Sequence, residues 1–203
     1  MADQAVKLIF LPGASGSTAF WKPVQSHFES EYDTHIIAYP SFGEYPDHPH
    51  VNSMSDLQDY VFDHLQRPSI LIAQSMGGVI AVQAALRYPK LIQGLVLVAT
   101  SGGVDLTPFH VKDWRAEYQN EYEVPHWFID DETKLDERLA EIECPVLLIW
   151  GGDDDISPVA VGEYLNHAFK YSELNVIPNG QHDLAKVYAS ECISFIQRYL
   201  AKF

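Results

Sequence analysis

Basic residues are scarce in this chain. Thirteen lysines and arginines stand against 28 aspartates and glutamates, a formal net charge of −15 over 203 residues. A surface of that sign repels phosphate backbones and acidic bilayers, which argues against nucleic acid or an anionic membrane as a partner. Cysteine is rarer still. Cys144 and Cys192 are too few and too far apart for a disulfide framework, and they lack the paired spacing of a zinc site. They read as reduced thiols in a cytoplasmic setting. Long apolar runs are missing too: blocks such as Gly94–Ala99 are strand-length, well short of the about 20 residues that span a bilayer. No basic stretch leading into an apolar core follows Met1, so no export is expected. Repeats, low-complexity tracts and Gly/Ser linkers are absent. A hydrophobic fraction of 47% with 20% charged residues excludes a disordered or collagen-like chain.

What is present is an alternation of β-branched runs and helix-period stretches. Val6–Leu11, Thr34–Tyr39, Ser69–Gln74, Gly94–Thr100, Pro145–Trp150 and Leu174–Ile177 read as six strands, several closed by Pro or Gly. Leu57, Tyr60, Val61, His64 and Leu65 recur at helical spacing, as do residues of Ser75–Tyr88 and Pro158–Phe169. A long amphipathic helix is expected from Leu184 to Leu200. Near-continuous apolar strands alternating with helices imply an α/β fold, a mostly parallel sheet buried on both faces. In such sheets ligands sit beyond the carboxyl ends of the strands. The stretch 101–143 breaks the rhythm. It has no strand pattern and holds twelve acidic against four basic side chains, more than half of the chain's net charge. An insertion of this length after a strand is expected to be a cap, and its aromatics Trp114, Tyr118, Trp127 and Phe128 to form an apolar substrate pocket. The plainer alternative is a solvated acidic helix pair packed by its own aromatics.

The strongest chemical signal is Ala73-Gln-Ser-Met-Gly77, at a strand-to-helix junction. A serine hydroxyl becomes a nucleophile only when a base takes its proton and the backbone presents it clear of its neighbours. A sharp turn does the presenting if the residues two before and two after are small, as Ala73 and Gly77 are. The turn also aims the Met76 N–H and the helix dipole at any oxyanion forming beside Ser75. An N-capping serine followed by glycine would look similar. Two further signals lie beyond the fifth and sixth strands: the acidic loop Gly151-Gly-Asp-Asp-Asp-Ile-Ser-Pro158 and the histidine loop Pro178-Asn-Gly-Gln-His182. Serine, then an acid, then histidine is the order of nucleophile, acid and base in α/β-hydrolases.

From Val6 to Phe203 the chain resembles the α/β-hydrolase superfamily. The resemblance implies a six-stranded, mostly parallel sheet with helices on both faces, a minimal version of the fold, in a single domain over 1–203 with a small helical cap at about 101–143. It implies Ser75 as nucleophile. Gly151-x-x-Asp154-x-x-x-Pro158 matches the family's acid loop and selects Asp154 over Asp153 and Asp155, with Asp105 beyond the fourth strand as the outside candidate. His182 matches the base. Leu11-Pro-Gly-Ala-Ser-Gly-Ser17 occupies the place of the oxyanion loop, making the Ala14 and Met76 amides the oxyanion donors; without a following Gly-Lys-Ser/Thr it is not a phosphate loop. Ala73 replaces the commoner glycine, Pro12 a common histidine, and the first strand corresponds to the family's third, but no catalytic group is removed. His48-Pro-His50 lacks the context of a base and is weak evidence for a metal.

The implied activity is a carboxylesterase cleaving a small or medium apolar ester through an acyl-enzyme on Ser75, with no cofactor and no metal. The same triad would equally serve a thioesterase, a C–C hydrolase or a lyase. A non-catalytic, ligand-binding scaffold is the alternative outside enzymes. Oligomeric state is not readable from the sequence.

Overall fold

A computed structural model describes residues 6–111, 124–131 and 133–203. Among these residues six strands form one sheet: β1 (Lys7–Leu11), β2 (Thr34–Ile36), β3 (Ser69–Gln74), β4 (Ile92–Val98), β5 (Val146–Gly151) and β6 (Ser172–Ile177). Their spatial order is β2-β1-β3-β4-β5-β6, and every neighbouring pair is parallel. This is the parallel α/β architecture that the alternating pattern implies.

The strands read as continuous apolar blocks because both faces are covered, and side chains alternate between them with a period of two. Leu8, Phe10, Ile70, Ile72, Val96, Val98, Leu147 and Ile149 face one layer. It is built from α1 (Lys22–Phe28), α6 (Leu184–Val187) and α7 (Ala189–Leu200), which contribute Val24, Phe28, Leu184, Cys192 and Ile196, together with Trp21 just ahead of α1. Ile9, Leu11, Leu71, Ala73, Leu95, Leu97, Leu148 and Trp150 face the other. There α2 (Met54–Phe62), α3 (Met76–Arg87) and α5 (Val159–Ala168) supply Leu57, Val61, Ile80, Val161 and Leu165. At about 1.5–3 kcal/mol per fully buried aliphatic side chain, these two layers dominate the stability.

Several sequence expectations need correction. The long C-terminal helix is two helices, broken at Tyr188 (φ −113°, ψ 41°), because α6 ends against the histidine loop before α7 starts down the sheet. β2 ends at Ile36 rather than Tyr39. The Ile37 amide still reaches Phe10 O at 3.0 Å, but the chain then turns to bury Tyr39 and Phe42 in the core. β4 starts two residues early, at Ile92, and stops at Val98, where Ala99 adopts φ 44°. β6 starts at Ser172. In the insertion the described residues form turns at Thr107–Phe109 and Asp136–Glu141 and the short α4 (His126–Ile129).

Candidate active site

The elbow is built by the β3–α3 junction. β3 is buried along its whole length, and α3 begins one residue after Ser75, leaving no room for a gradual bend. Ser75 therefore takes φ 51°, ψ −121°, a conformation few non-glycine residues adopt and one that costs on the order of 1–3 kcal/mol. Its amide donates to Val98 O at 3.1 Å, while its carbonyl accepts from Gly78 N at 2.9 Å and from the Thr100 hydroxyl at 2.5 Å. A Cβ on Gly77 would lie 2.5 Å from Pro12 O and 2.7 Å from Leu11 O. Smallness two residues after the serine thus lets the first turn of α3 lie against the β1 loop, a partner the local motif does not reveal. The Trp21 indole donates to Leu11 O at 3.0 Å and pins the start of that loop from the opposite layer.

The acid and histidine loops lie against each other backbone to backbone. Gly152 N donates to Ile177 O at 2.8 Å and Asp153 N to Gly180 O at 2.9 Å. A Cβ on Gly151 would sit 2.3 Å from Gly180 O, so only glycine permits this approach. The result brings Asp154 to His182: Asp154 Oδ2 is 2.9 Å from His182 Nδ1. The other carboxylate oxygen, Oδ1, accepts from Ile156 N at 2.9 Å and Ser157 N at 2.8 Å. The Asp154 side chain is fully buried, whereas that of His182 keeps 23% of its surface exposed. Asp153 and Asp155 point to solvent. Asp105 is engaged elsewhere, accepting from Thr107 N at 3.0 Å and pairing with Lys134. Its hydrogen bonds with Thr107 hold its carboxyl below the usual aspartate value.

A cavity of about 840 Å³ opens over these loops, and Ser75, Met76, Ala14 and His182 all line it. The four residues come from the ends of three strands, as expected for an open parallel sheet. Among the described residues no hydrogen bond joins Ser75 to His182; in ligand-free sites such bonds commonly tighten only when substrate binds. The insertion supplies much of the remaining wall, with Val104, Leu106 and Val111 beside Phe128 and Ile129. Asp105, Asp130, Asp131 and Lys134 add charge to it. Of the four aromatics assigned to the pocket, Phe128 lines the cavity. Trp127 instead packs edge-on against Phe42, centroids 5.6 Å apart, and is not among the lining residues. Trp114 and Tyr118 lie outside the described residues. His48 and His50 contact each other, rings 5.7 Å apart. Among the described residues no cluster of three or more His, Cys, Asp or Glu side chains is arranged to hold a metal, and no helix is long and apolar enough to cross a membrane. Sequence reasoning missed Thr100, whose role at the elbow has no motif to announce it.

Comparison with known proteins gives a consistent result. The profile of the alpha/beta hydrolase family matches residues 8–141. A pimeloyl-(acyl-carrier protein) methyl ester esterase from Shewanella woodyi is 34% identical over 98 residues, 48% of this chain and 37% of that protein. Its counterpart from Vibrio vulnificus is 28% identical over 98 residues, 48% of this chain and 38% of that protein. The match thus spans little more than a third of these curated relatives. Among solved structures, a thermophilic esterase from Thermogutta terrifontis superposes with a TM-score of 0.82 at 18% identity, over 98% of this chain and 90% of that one. Mouse alpha/beta hydrolase domain-containing protein 10 superposes at 0.78 with 19% identity, over 97% and 90% of the two chains. At these identities the structural likeness speaks for the fold.

Proposed function

The chain belongs to the alpha/beta hydrolase family, and from that membership we propose that it is a serine carboxylesterase acting on a small or medium, mostly apolar ester. The observation that carries the reading is the Asp154–His182 hydrogen bond of 2.9 Å on the wall of the cavity into which the elbow presents Ser75. In this reading Asp154 holds His182 with its proton on Nδ1, leaving Nε2 free to accept the Ser75 proton. Ser75 Oγ attacks the ester carbonyl, the carbonyl oxygen becomes an oxyanion held by the Ala14 and Met76 amides, and His182 returns its proton to the departing alcohol. Water, deprotonated by the same histidine, then releases the acid. No step calls for a metal or cofactor.

The insertion 101–143 acts as the cap of this single domain. Its apolar lining suits an uncharged acyl chain. Its excess of acidic residues disfavours strongly anionic substrates. Methyl ester cleavage by the curated relatives favours an ester over a thioester or C–C bond. Two free thiols fit a reducing, cytoplasmic setting. The test is intact mass after exposure to a fluorophosphonate, with turnover of a p-nitrophenyl ester panel. One adduct on wild type, lost together with turnover in Ser75→Ala and His182→Ala, is expected. Folded wild-type protein that neither labels nor turns over any ester would overturn the reading in favour of a binding scaffold.

A further inference from the structure

The oxyanion role of Met76 depends on where a single peptide plane points. A trans peptide is planar, so its carbonyl and amide face opposite ways, and whatever holds the one aims the other. The carbonyl of Ser75 and the amide of Met76 belong to the same peptide. Ser75 is strained at φ 51°, so that plane needs neighbours to hold it. One holder is local, the Gly78 amide in the first turn of α3 at 2.9 Å. The other reaches across from beyond β4: the Thr100 hydroxyl donates to Ser75 O at 2.5 Å.

The surroundings of Thr100 are arranged for this bond. Its side chain is almost wholly buried, so water does not compete for the hydroxyl. Its oxygen accepts the Gly102 amide at 3.0 Å, which leaves the hydroxyl proton directed at Ser75 O. Ala99 reaches φ 44° immediately before it, a left-handed turn that alanine adopts only at a cost. A Cβ on Gly78 would lie 2.3 Å from Thr100 Oγ1, so the absent side chain is what allows α3 to sit on the threonine.

We propose that Thr100 is a positioning residue of the oxyanion hole: by donating to the Ser75 carbonyl it aims the Met76 N–H at the substrate oxygen. It also strengthens that N–H as a donor, since a hydrogen bond to one end of a peptide polarises the other. The proposal rests on the serine-hydrolase reading of the site.

The test compares wild type, Thr100→Val and Thr100→Ser with p-nitrophenyl butyrate as substrate, each rate normalised to sites titrated by fluorophosphonate. Beside them runs Ser75→Ala, which has no site to titrate and is normalised to protein concentration. A second probe is an aryl trifluoromethyl ketone. Ser75 Oγ adds to its carbonyl carbon, the serine proton passes to His182, and the ketone oxygen becomes an oxyanion in the hole. Thr100→Val keeps the shape and removes the hydroxyl. It is expected to lower kcat per site about tenfold, part of the 10²–10³ lost with a whole donor, with KM within about twofold. Affinity for the ketone falls by the same factor, the pH midpoint of kcat/KM stays in place, and Thr100→Ser restores both kcat and ketone affinity. Thr100→Ala carries the same expectation should the valine variant fail to fold. Unchanged kcat and ketone affinity in the hydroxyl-free variants, or a Thr100→Ser variant as impaired as Thr100→Val, overturns the proposal while a dead Ser75→Ala leaves the esterase reading standing. Wild type that neither labels nor turns over overturns both.

Discussion

Replacing Asp154 by asparagine changes one atom, and its consequence follows from three hydrogen bonds. The side chain has two orientations to choose from. With its amide nitrogen towards the loop, it would set a donor against the Ile156 and Ser157 N–H groups and forfeit bonds of 2.9 and 2.8 Å inside a fully buried site. At about 1–3 kcal/mol for a buried polar group left unpaired, that orientation is disfavoured. The amide nitrogen therefore turns to His182, where it donates to Nδ1 at the 2.9 Å contact and drives the ring proton to Nε2. The histidine then offers Ser75 a proton instead of accepting one. A tautomer reversal of this kind typically costs about 10⁴ in kcat, or about 5 kcal/mol of barrier. The fold should hold, because the carbonyl oxygen keeps both loop bonds. The assay is kcat with a p-nitrophenyl ester beside thermal unfolding of the same preparation, with Asp105→Asn, Asp153→Asn and Asp155→Asn as comparisons. A kcat within tenfold of wild type for Asp154→Asn would refute the assignment, and a collapse in Asp105→Asn instead would move the acid to the end of β4.

Gly77→Ala should be costly although alanine is a good helix former, because its methyl meets Pro12 O at 2.5 Å and Leu11 O at 2.7 Å. A loss of about 1–3 kcal/mol in urea unfolding is expected, with lower turnover as α3 is pushed off the loop that carries Ala14. Equal stability and rate would show that the two elements separate freely. Burial pushes the Cys144 thiol up to about 11 and the Cys192 thiol up to about 12. Unfolded thiols titrate near about 8.5, so above that pH the unfolded chain releases protons that the folded chain keeps. The stabilisation is fully present below about pH 8.5 and is lost as pH rises through 11–12. The urea midpoint should fall between pH 8 and pH 10.5, and a flat or rising midpoint contradicts the burial.

The strands were legible where two covered faces demand unbroken apolar runs, as in Ser69–Gln74 and Val146–Gly151. β6 was only partly legible, because a sheet edge tolerates the polar Ser172 and Glu173 and so hides its first residues. α1 escaped notice: seven residues with Pro23 in the first turn show too little periodicity, although Trp21, Val24 and Phe28 all point inwards. The break at Tyr188 left no trace because the apolar spacing runs through it. At the site, the loops carrying Ser75, Asp154 and His182 could be read because each follows a strand end with its own small residues. The wall of the cavity could not. Aromatic content does not say which ring faces inwards: Trp127 and Phe128 both pack against Phe42, and only Phe128 of the two lines the cavity.

The insertion between β4 and β5 also has a bearing on how the chain reaches its fold. Parallel neighbours must find each other across a crossover, and closing a longer loop costs more chain entropy. β4 is flanked by β3, which precedes it by a single helix, and by β5, which follows only after the whole insertion. As the chain emerges during synthesis, Leu95-Val-Leu-Val98 therefore has one partner long before the other, leaving its far edge open to pairing with a second chain. The segment that supplies much of the cavity wall thus imposes a waiting time on a largely apolar strand inside the sheet, the interval in which aggregation competes with folding.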